Sequence, residues 1–591
     1  MAKKLLILFL LLAGNLFSQT KEYLYLSPVP GSKFHNPETN IIIKPVVFPS
    51  FADLNSQSYI SVSGASTGKV TGKINYSVRD NYIIFTPDKH FALGETVTVN
   101  IGDTRNPYSY SFGIKRVKPN ITFDSFQSEI GAINQEPANQ IFGVSPGDSL
   151  PSDMPRITVL NNLNPSNGKI FISPMRVFGN YSPYLQIVNN DGSYFFYRKM
   201  NNNVYDFKLQ PTGLLTYADY NKAKFYGLDS NYNLVDSFYC GNGYVTDEHE
   251  LRILPSGNFF LMSYDPQIVD MSLIVPGGDT AATVIGLIIQ ELNPQKQVIF
   301  QWRSWDHFEI TDATQISLTA KTIDYVHGNA IEIDNDHNIL ISSRHIEEIT
   351  KINRTTGAVM WRLGGKNNQF EFINDPIGFS YQHSIRRVSG NNIILFDNGN
   401  YHTPAFSRAI EYSLDEVNKK VTLVWQYRST PDVFAIAMGN VQRLSNGNTL
   451  IGWGTLANPS VTEVNPAGQK VYEQRNPNMV YSYRAHRFLW KDVITNKGTE
   501  SEIIEGYKLE QNYPNPFNSI SNVKFQIKNP GIVSLKVFDI LGREVRTLLN
   551  EYKQPGKYQV SFDAGELSSG VYFYKMTAGE FSDVKKMILV N

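Results

Sequence analysis

Residues 327–344 read HGNAIEIDNDHNILISSR, and this stretch decides the fold of the central part of the chain. It starts at His327 with a short alternating strand, turns through a run of Asp and Asn, and ends in an apolar strand that leads to Arg344. Residues 249–261, HELRILPSGNFFL, and residues 383–395, HSIRRVSGNNIIL, follow the same order. Two short strands joined by such a turn predict a β-hairpin, and each of these three hairpins begins at a histidine.

The same unit recurs about six times between residues 166 and 492, each time as a Gly or Asn turn, an apolar strand and a second hairpin. The copies of the first turn lie at Gly168, Gly213, Gly257, His337, Asn391 and Gly447. Repeats of about four strands at regular spacing are typical of a β-propeller. We therefore predict an all-β chain whose centre, residues 166–492, is a six-bladed β-propeller.

The bulk composition limits the possible partners. With 591 residues the chain is too long for one core, so several domains are expected. The formal net charge is zero and only 18% of the residues are charged, which argues against nucleic acid or an anionic membrane as a partner. Cys240 is the only cysteine, so no intramolecular disulfide can form and packing alone must stabilise the fold.

The first 18 residues are typical of a secretory signal peptide. Lys3 and Lys4 precede the apolar run 5–12, which is too short to span a bilayer, and Ser18 provides a small residue at a plausible cleavage point. No later stretch is long and apolar enough for a transmembrane helix. The sequence therefore predicts an exported protein without a transmembrane span.

Two smaller β units flank the centre. Residues 21–117 contain short alternating strands and resemble bacterial Ig-like β-sandwich modules at Phe85-Thr86-Pro87 and Gly94-Glu95. Residues 118–165 are rich in Pro, Asn and Ser and are predicted to be a linker.

The third unit, residues 506–591, also has the pattern of a small β-sandwich. It closely resembles the C-terminal sorting domain of the type IX secretion system, from Leu509-Glu510-Gln511-Asn512-Tyr513-Pro514 to the tail 585–590. The resemblance implies that the type IX machinery is a partner and that the protein is released or attached at the cell surface.

The three aligned histidines predict a shared centre on the propeller axis. Side chains two apart on a strand share a face, so His249, His327 and His383 are expected to point the same way. Arg344 and Asn398 align at the end of the following strand. A neutral imidazole can be a nucleophile, a general base or a metal ligand, and arginine offers donors suited to tetrahedral oxyanions.

Other interpretations of the histidines stay open at this point. A single histidine in a propeller is usually a structural residue, and His35, His90, His337 and His345 are assigned to that class because they lie in turns or flanks. A three-histidine metal site is a further possibility, although close spacings such as H-E-x-x-H are absent from the sequence.

The central region, roughly residues 165–490, resembles the bacterial arylsulfate sulfotransferases. The matching motifs are Asp247-Glu248-His249, His327-Gly328-Asn329-Ala330, Ser342-Ser343-Arg344, and Gln382-His383 leading to Leu395-Phe396-Asp397-Asn398-Gly399. The resemblance implies transfer of a sulfuryl group from a phenolic sulfate donor to a phenolic acceptor through a sulfohistidine, with no nucleotide sulfate and no other cofactor. It also implies that His383 is the nucleophile and that His249, His327 and Arg344 bind the sulfate oxygens.

Further residues are predicted to bind the substrate. Asn398, Tyr381 and His402 are the candidates, and Trp302, Trp305 and Tyr401 are further aromatic side chains that could hold a phenolic ring. A different class of function fits the same domains, because a non-catalytic surface propeller that binds glycans or protein partners would also be exported in this way.

Overall fold

The computed structural model describes residues 22–55, 59–102, 107–117, 141–142, 150–176, 180–491, 506–518, 520–529, 531–553, 556–565, 567–579 and 581–590. The signal peptide predicted at residues 1–18 lies outside these ranges. The described residues are almost entirely β structure, which confirms the predicted fold class. The short helix Phe51–Asn55 and a few single 3-10 turns are the helical segments among them, and no described helix is long and apolar enough to cross a membrane.

The N-terminal unit consists of two four-stranded sheets around one apolar core. In order of pairing, the first has strands Tyr23–Ser27, Ile41–Pro45, Tyr82–Pro87 and Gly72–Ser77, and the second has strands Gly68–Val70, Ile60–Gly64, Thr96–Ile101 and Tyr108–Gly113. Alternation decides which residues enter the core. In Thr96–Ile101, for example, Val97 and Val99 are fully buried, while Thr98 between them is only partly buried.

Six sheets form the central region of the described chain. The first contains Val480–Phe488, Lys169–Arg176, Tyr184–Val188, Tyr194–Lys199 and Ile141–Phe142, and the second contains Val204–Leu209, Leu215–Asp219, Lys224–Leu228 and Leu234–Phe238. The third contains Leu251–Ile253, Phe259–Val269, Ala282–Leu292 and Val298–Arg303, with Thr322–Asp324 added parallel to Ala282–Leu292.

The remaining three sheets follow in chain order. The fourth contains Gly328–Ile333, Ile339–Ser343, Glu348–Ile352 and Val359–Gly364. The fifth contains His383–Arg387, Asn392–Asp397, Arg408–Asp415, Lys420–Arg428 and Glu371–Ile373, and the sixth contains Asn440–Arg443, Thr449–Gly452, Val461–Val464, Lys470–Arg475 and Thr158–Asn162.

One strand of each central sheet faces the middle of a ring. These six inner strands are Val480–Phe488, Val204–Leu209, Leu251–Ile253, Gly328–Ile333, His383–Arg387 and Asn440–Arg443. Neighbouring inner strands contact one another around the ring. The second and third sheets are joined where Gln210 Nε2 donates to the carbonyl of Leu251 at 3.1 Å. The six sheets therefore surround a common axis, which positions the first residues of their inner strands close together.

Strands from distant parts of the chain close this ring. Val480–Phe488 pairs with Lys169–Arg176 in the first sheet, and Thr158–Asn162 pairs with Lys470–Arg475 in the sixth. Ile141–Phe142 also forms the outer strand of the first sheet. The predicted linker over residues 118–165 thus contributes two strands to the ring, because edge strands of both sheets need partners for their backbone N–H and C=O groups.

The N-terminal unit packs against the third sheet. The Tyr25 hydroxyl donates to the carbonyl of Gln301 at 2.6 Å, and Arg303 Nη1 contacts the ring of His35. Tyr25 and Ile84 share one apolar cluster with the central sheets. His35 is therefore a structural residue, as its flank position predicts.

The C-terminal region has its own core between two sheets. One sheet contains Lys508–Leu509, Ile520–Ile527 and Gly556–Asp563, and the other contains Glu544–Lys553, Gly531–Phe538, Gly570–Ala578 and Phe581–Leu589.

Candidate active site

The three histidines that begin the hairpin units lie together at one end of the ring. The ring centroids of His249 and His327 are 5.3 Å apart, and those of His249 and His383 are 6.5 Å apart. Each histidine stands at the first residue of an inner strand or within two residues before it. We call this part of the axis the histidine end.

The backbone at the histidine end adopts conformations that side chains disfavour. His327, Tyr381 and Ser384 have φ angles of 51°, 53° and 61°. Left-handed backbone at non-glycine residues costs on the order of 1–3 kcal/mol each and is concentrated at functional sites. Neighbouring contacts hold it here, since Ser384 N donates to Asn329 Oδ1 at 3.2 Å.

His383 is held in one tautomer. Its side chain is buried, and Nδ1 lies 2.6 Å from the carbonyl oxygen of Gly439. A carbonyl oxygen only accepts, so Nδ1 carries the proton and Nε2 keeps its lone pair. Burial lowers the pKa of His383 well below its usual value, and the positive charge of Arg484 adds to this effect. Gly439 has a φ of 93° and a Cβ there would lie 2.7 Å from the Phe396 ring, so only glycine fits.

His249 has the opposite electrostatic environment. Its Nδ1 lies 2.6 Å from Asp247 Oδ1, and its backbone N–H donates to the same oxygen at 2.9 Å. Burial alone would lower the pKa of His249, but the charge of Asp247 and the hydrogen bond to it outweigh burial and raise the pKa. The protonated form of His249 is therefore the one that this site favours.

His327 is also bound through Nδ1, which lies 2.6 Å from Asp324 Oδ2. Burial lowers its pKa well below the usual value, and the charges of His249 and Arg344 contribute in the same direction. Two neighbouring histidines of the same cluster thus have pKa values shifted in opposite directions, an arrangement found where one group donates a proton and another stays neutral.

Arg344 lies beside the histidines at the rim of the site. Its Nη2 donates to the carbonyl of Ile436 at 2.9 Å, and its guanidinium carbon lies 4.5 Å from the centre of the Tyr381 ring. The Tyr381 ring in turn meets Tyr401 edge to face at 5.0 Å, and Tyr401 is 49% exposed. Arg344, Tyr381 and Tyr401 therefore form one side of the opening.

Asn398 supports the site from behind. Its Nδ2 donates to the carbonyls of Ala435 and Met438 at 2.8 and 3.1 Å, and it is fully buried. It fixes the loop that carries Gly439, the partner of His383. Both donors of the Asn398 amide are thus used within the protein, and its role in binding substrate stays a prediction.

His402 does not face the histidine end. Its Nε2 lies 2.8 Å from Asp397 Oδ2 and its ring stacks on Phe406 with centroids 4.9 Å apart. Its side chain is 6% exposed. The Asp397 carboxylate and the Phe406 ring thus contact the His402 ring, and its role in binding substrate stays a prediction.

The two candidate tryptophans also serve packing. Trp302 is buried and stacks on His307 with centroids 5.0 Å apart, and Trp305 packs against Phe34 and Tyr325. The aromatic side chains that do lie at the site are Tyr381 and Tyr401, with Tyr264 and Tyr483 against the histidine rings.

His345 joins the cluster, although its flank position predicts a structural role. Its ring centroid lies 4.6 Å from that of His327, and its Nδ1 lies 2.6 Å from the backbone carbonyl of Asp324. Burial lowers its pKa to about 4. The sequence feature that could have indicated its place in the cluster is its position directly after Arg344, at the end of an apolar strand.

A buried group of charged side chains fills the axis behind the histidines. Arg484 Nη1 lies 2.9 Å from Asp206 and 3.2 Å from Glu250, and all three are fully buried. Lys208 also pairs with both carboxylates. Burial opposes the ionised form of Glu250, but the charges of Arg386, Arg484 and Lys208 prevail and lower its pKa to about 2. We call Asp206, Lys208, Glu250 and Arg484 the axial ion cluster.

Two clusters of carboxylate and imidazole side chains at the histidine end contain the residue types that bind metal ions. Asp324, His327 and His345 form one, and Asp247, Glu248 and His249 form the other, each with one potential ligand atom per residue within 4.8 Å of the rest. The positive charge of Arg344 acts on both His327 and His345. A guanidinium at this position favours a bound anion over a divalent cation.

Comparison with known proteins identifies two parts of the chain. Residues 212–477 match the model of the arylsulfotransferase (ASST) family, and residues 511–590 match that of the secretion system C-terminal sorting domain. No curated protein matches the chain.

Several solved structures resemble it at low identity. A protein of unknown function from Bacteroides caccae is 13% identical with a TM-score of 0.35, covering 54% of this chain and 98% of that one. An inactive virginiamycin B lyase from Staphylococcus aureus is 10% identical with a TM-score of 0.30, covering 54% and 88%. A quinonprotein alcohol dehydrogenase-like protein from Bacteroides thetaiotaomicron is 10% identical with a TM-score of 0.27, covering 79% and 99%.

The C-terminal match indicates secretion to the cell surface or the exterior, as the sequence predicts. The histidine end lies on hairpins that fall within the first match, so the site and the family assignment concern the same part of the molecule. The chain thus contains a region that matches the arylsulfotransferase (ASST) family model, residues 212–477, and a C-terminal region that matches a secretion system C-terminal sorting domain, residues 511–590.

Proposed function

We propose that the protein transfers a sulfuryl group from a phenolic sulfate ester to a phenolic acceptor through a covalent intermediate on His383, without a nucleotide sulfate donor. The observation that carries the proposal is the state of His383. Its Nδ1–H is bound to the Gly439 carbonyl at 2.6 Å and its pKa is lowered, so Nε2 is unprotonated at neutral pH and available to attack sulfur.

The first half of the reaction uses His383 and His249. The Nε2 lone pair of His383 attacks the sulfur atom, an S–N bond forms, and the bond from sulfur to the phenolic oxygen breaks with its electron pair. The phenolate takes a proton from Nε2 of the His249 imidazolium, whose raised pKa makes it an effective donor. His249 ends this step neutral, and His383 carries the sulfuryl group.

The second half reverses these roles. Neutral His249 removes the proton from the acceptor phenol, the phenolic oxygen attacks sulfur, and the S–N bond breaks to return the electron pair to Nε2 of His383. Donor and acceptor occupy the same place in turn, so one histidine serves as acid and then as base.

Arg344 and the remaining histidines supply the charge that the transferred group requires. Sulfuryl transfer resembles phosphoryl transfer in spreading negative charge over the equatorial oxygens, so catalysis depends on positioning and electrostatic stabilisation. The Arg344 guanidinium is a permanent cation with a planar set of donors. His327 is neutral in the free site, and a bound anion would favour its protonated, donating form.

A transfer assay with 4-nitrophenyl sulfate and phenol tests the proposal. Wild-type protein and the His90→Ala variant, which alters an exposed histidine of the N-terminal unit, should release nitrophenol and form phenyl sulfate. His383→Ala should lose this activity by at least three orders of magnitude, as expected for a covalent nucleophile. Dialysis against a strong chelator should leave the rate unchanged.

Mass spectrometry of the protein mixed with donor alone separates the possible explanations. A mass increase of one sulfuryl group, mapped to the peptide that contains His383, is the expected result. Transfer that persists in His383→Ala contradicts the mechanism. Absence of both transfer and adduct with every phenol tried would favour the non-catalytic binding function, and loss of activity with the chelator would favour a metal-dependent hydrolase.

A further inference from the structure

A second cavity lies at the opposite end of the ring from the histidines. It has a volume of about 540 Å³ and is lined by the last residues of inner strands, among them Leu209, Arg387, Arg443 and Phe488. Along the inner strand His383–Arg387 the two ends are about 13 Å apart at the rise of a β-strand. We call this part of the axis the arginine end.

The lining of this cavity is cationic. The cationic side chains that line it are Lys208, Arg252, Arg386, Arg387 and Arg443, and no Asp or Glu is among its lining residues. The carboxylates that balance these charges lie behind the wall. Glu250 is fully buried behind Arg386, and the Glu332 side chain is 8% exposed behind Arg252, which is 26% exposed. Arg252 and Arg386 therefore line the open space, while Glu332 and Glu250 are not among its lining residues.

The ion pairs hold the guanidinium groups in place without using all their donors. Arg252 Nη2 donates to Glu332 at 2.9 Å, and Arg386 donates to the Ile385 carbonyl and to Glu250, both at 2.7 Å. Each guanidinium has five N–H donors. Arginines fixed in this way are suited to bind a further oxyanion with little loss of side-chain entropy.

Apolar residues complete the wall. Pro211, Pro255, Val388 and Val441 lie among the arginines. A volume of several hundred Å³ with apolar walls and a few converging polar groups is typical of sites for small organic ligands. An inorganic anion alone would leave most of this space unfilled.

We propose that the arginine end is a second binding site, separate from the proposed transfer site, for an organic anion that carries a sulfate, sulfonate or carboxylate group on an apolar body. The oxyanion lies against Arg252, Arg386 and Arg443, and the apolar body packs on Val388 and Val441. The axial ion cluster separates this ligand from the histidine end.

Crystals of the full-length protein soaked with 4-bromobenzenesulfonate locate the ligand directly. The carbon–sulfur bond of this probe cannot be consumed by sulfuryl transfer, and anomalous scattering from bromine marks its position in the wild-type protein. We expect a bromine peak in the arginine-end cavity, whether or not a second peak occurs beside His383. A cavity without a peak at a probe concentration above the dissociation constant in solution overturns the proposal.

Calorimetric titration of variants provides the second test. Arg443 pairs with Glu411 as Arg252 does with Glu332. The double variant Arg252→Lys and Arg443→Lys keeps the charges that balance these carboxylates but loses the planar donors, and we expect its affinity for the site to fall at least tenfold. Arg428→Lys makes the same change in an exposed pair with Asp432 and should bind as the wild type does. Equal affinity in the double variant and the control, or a wild-type dissociation constant weaker than about 10 mM, contradicts the proposal.

Discussion

Each of the four clustered imidazoles directs Nδ1 towards an acceptor. Asp247 and Asp324 serve His249 and His327 through their carboxylates, while His383 and His345 meet the backbone carbonyls of Gly439 and Asp324. The acceptor fixes the tautomer, so the Nε2 atoms are left for chemistry. A carboxylate partner favours the imidazolium more strongly than a carbonyl partner does, but at His327 burial and the charges of His249 and Arg344 outweigh Asp324 and lower the pKa.

The proposed role of His249 as a proton donor predicts that the effect of its loss depends on the leaving group. His249→Gln should reduce the rate with phenyl sulfate by about two to four orders of magnitude, the usual contribution of a general acid. It should reduce the rate with 4-nitrophenyl sulfate much less, because nitrophenolate leaves without a proton. Rates for a series of substituted phenyl sulfates measure this. Equal losses across the series would contradict the assignment.

The opposite pKa shifts predict the pH profile for phenyl sulfate. The pKa of His383 is lowered, so its nucleophilic form is lost only as the pH falls well below 6.5. The pKa of His249 is raised above 6.5, so its acidic form is lost as the pH rises through the raised value. The value of kcat/KM should therefore form a plateau around neutral pH with a limb on each side. In His249→Gln the alkaline limb should disappear, and a profile that retains it would show that another group donates the proton.

At the scale of the element, three of the six inner strands begin at or just after a site histidine, and others carry buried charge along their length. Arg484 lies in the middle of Val480–Phe488 and is fully buried with Asp206 and Glu250. Removing one member of a buried ion network leaves unpaired charge and costs about 3–5 kcal/mol.

We therefore expect Arg484→Met to lower the free energy of unfolding by about this amount. Urea denaturation measures it, and Arg475→Met, which removes an exposed arginine from a neighbouring sheet, serves as the control. A change below about 1 kcal/mol would indicate that the cluster contributes no more than a surface pair.

The sequence predicts most hairpins of the ring from residues close together in the chain. It does not predict the contacts between segments that are far apart in sequence. Alternation and turn residues predict the hairpins and place His249, His327 and His383 in one register, since side chains on a strand repeat every two residues. The partners Asp247 and Asp324 are close in sequence but act through loop geometry. The pairing of Thr158–Asn162 with Lys470–Arg475 joins segments some three hundred residues apart, and such pairing has no local signal.

At the scale of the whole molecule, the sorting domain and the ring have separate cores. Removal of residues 506–591 should therefore leave a folded ring that still transfers sulfuryl groups, but that stays inside the cell envelope of a host with a type IX secretion system. Activity in washed cells, medium and lysate distinguishes the compartments. Normal secretion of the truncated protein would show that another segment directs export.

The strand that closes the ring also completes the candidate site. The inner strand of the first sheet is Val480–Phe488, the last strand of the ring to leave the ribosome, and it brings Tyr483 against His383 and Arg484 behind the site. A ribosome that stops before this strand releases a polypeptide that contains His249, His327 and His383 but lacks Tyr483 and Arg484. We therefore expect an interrupted product to lack the proposed transfer activity, which would require a polypeptide synthesised at least through Val480–Phe488.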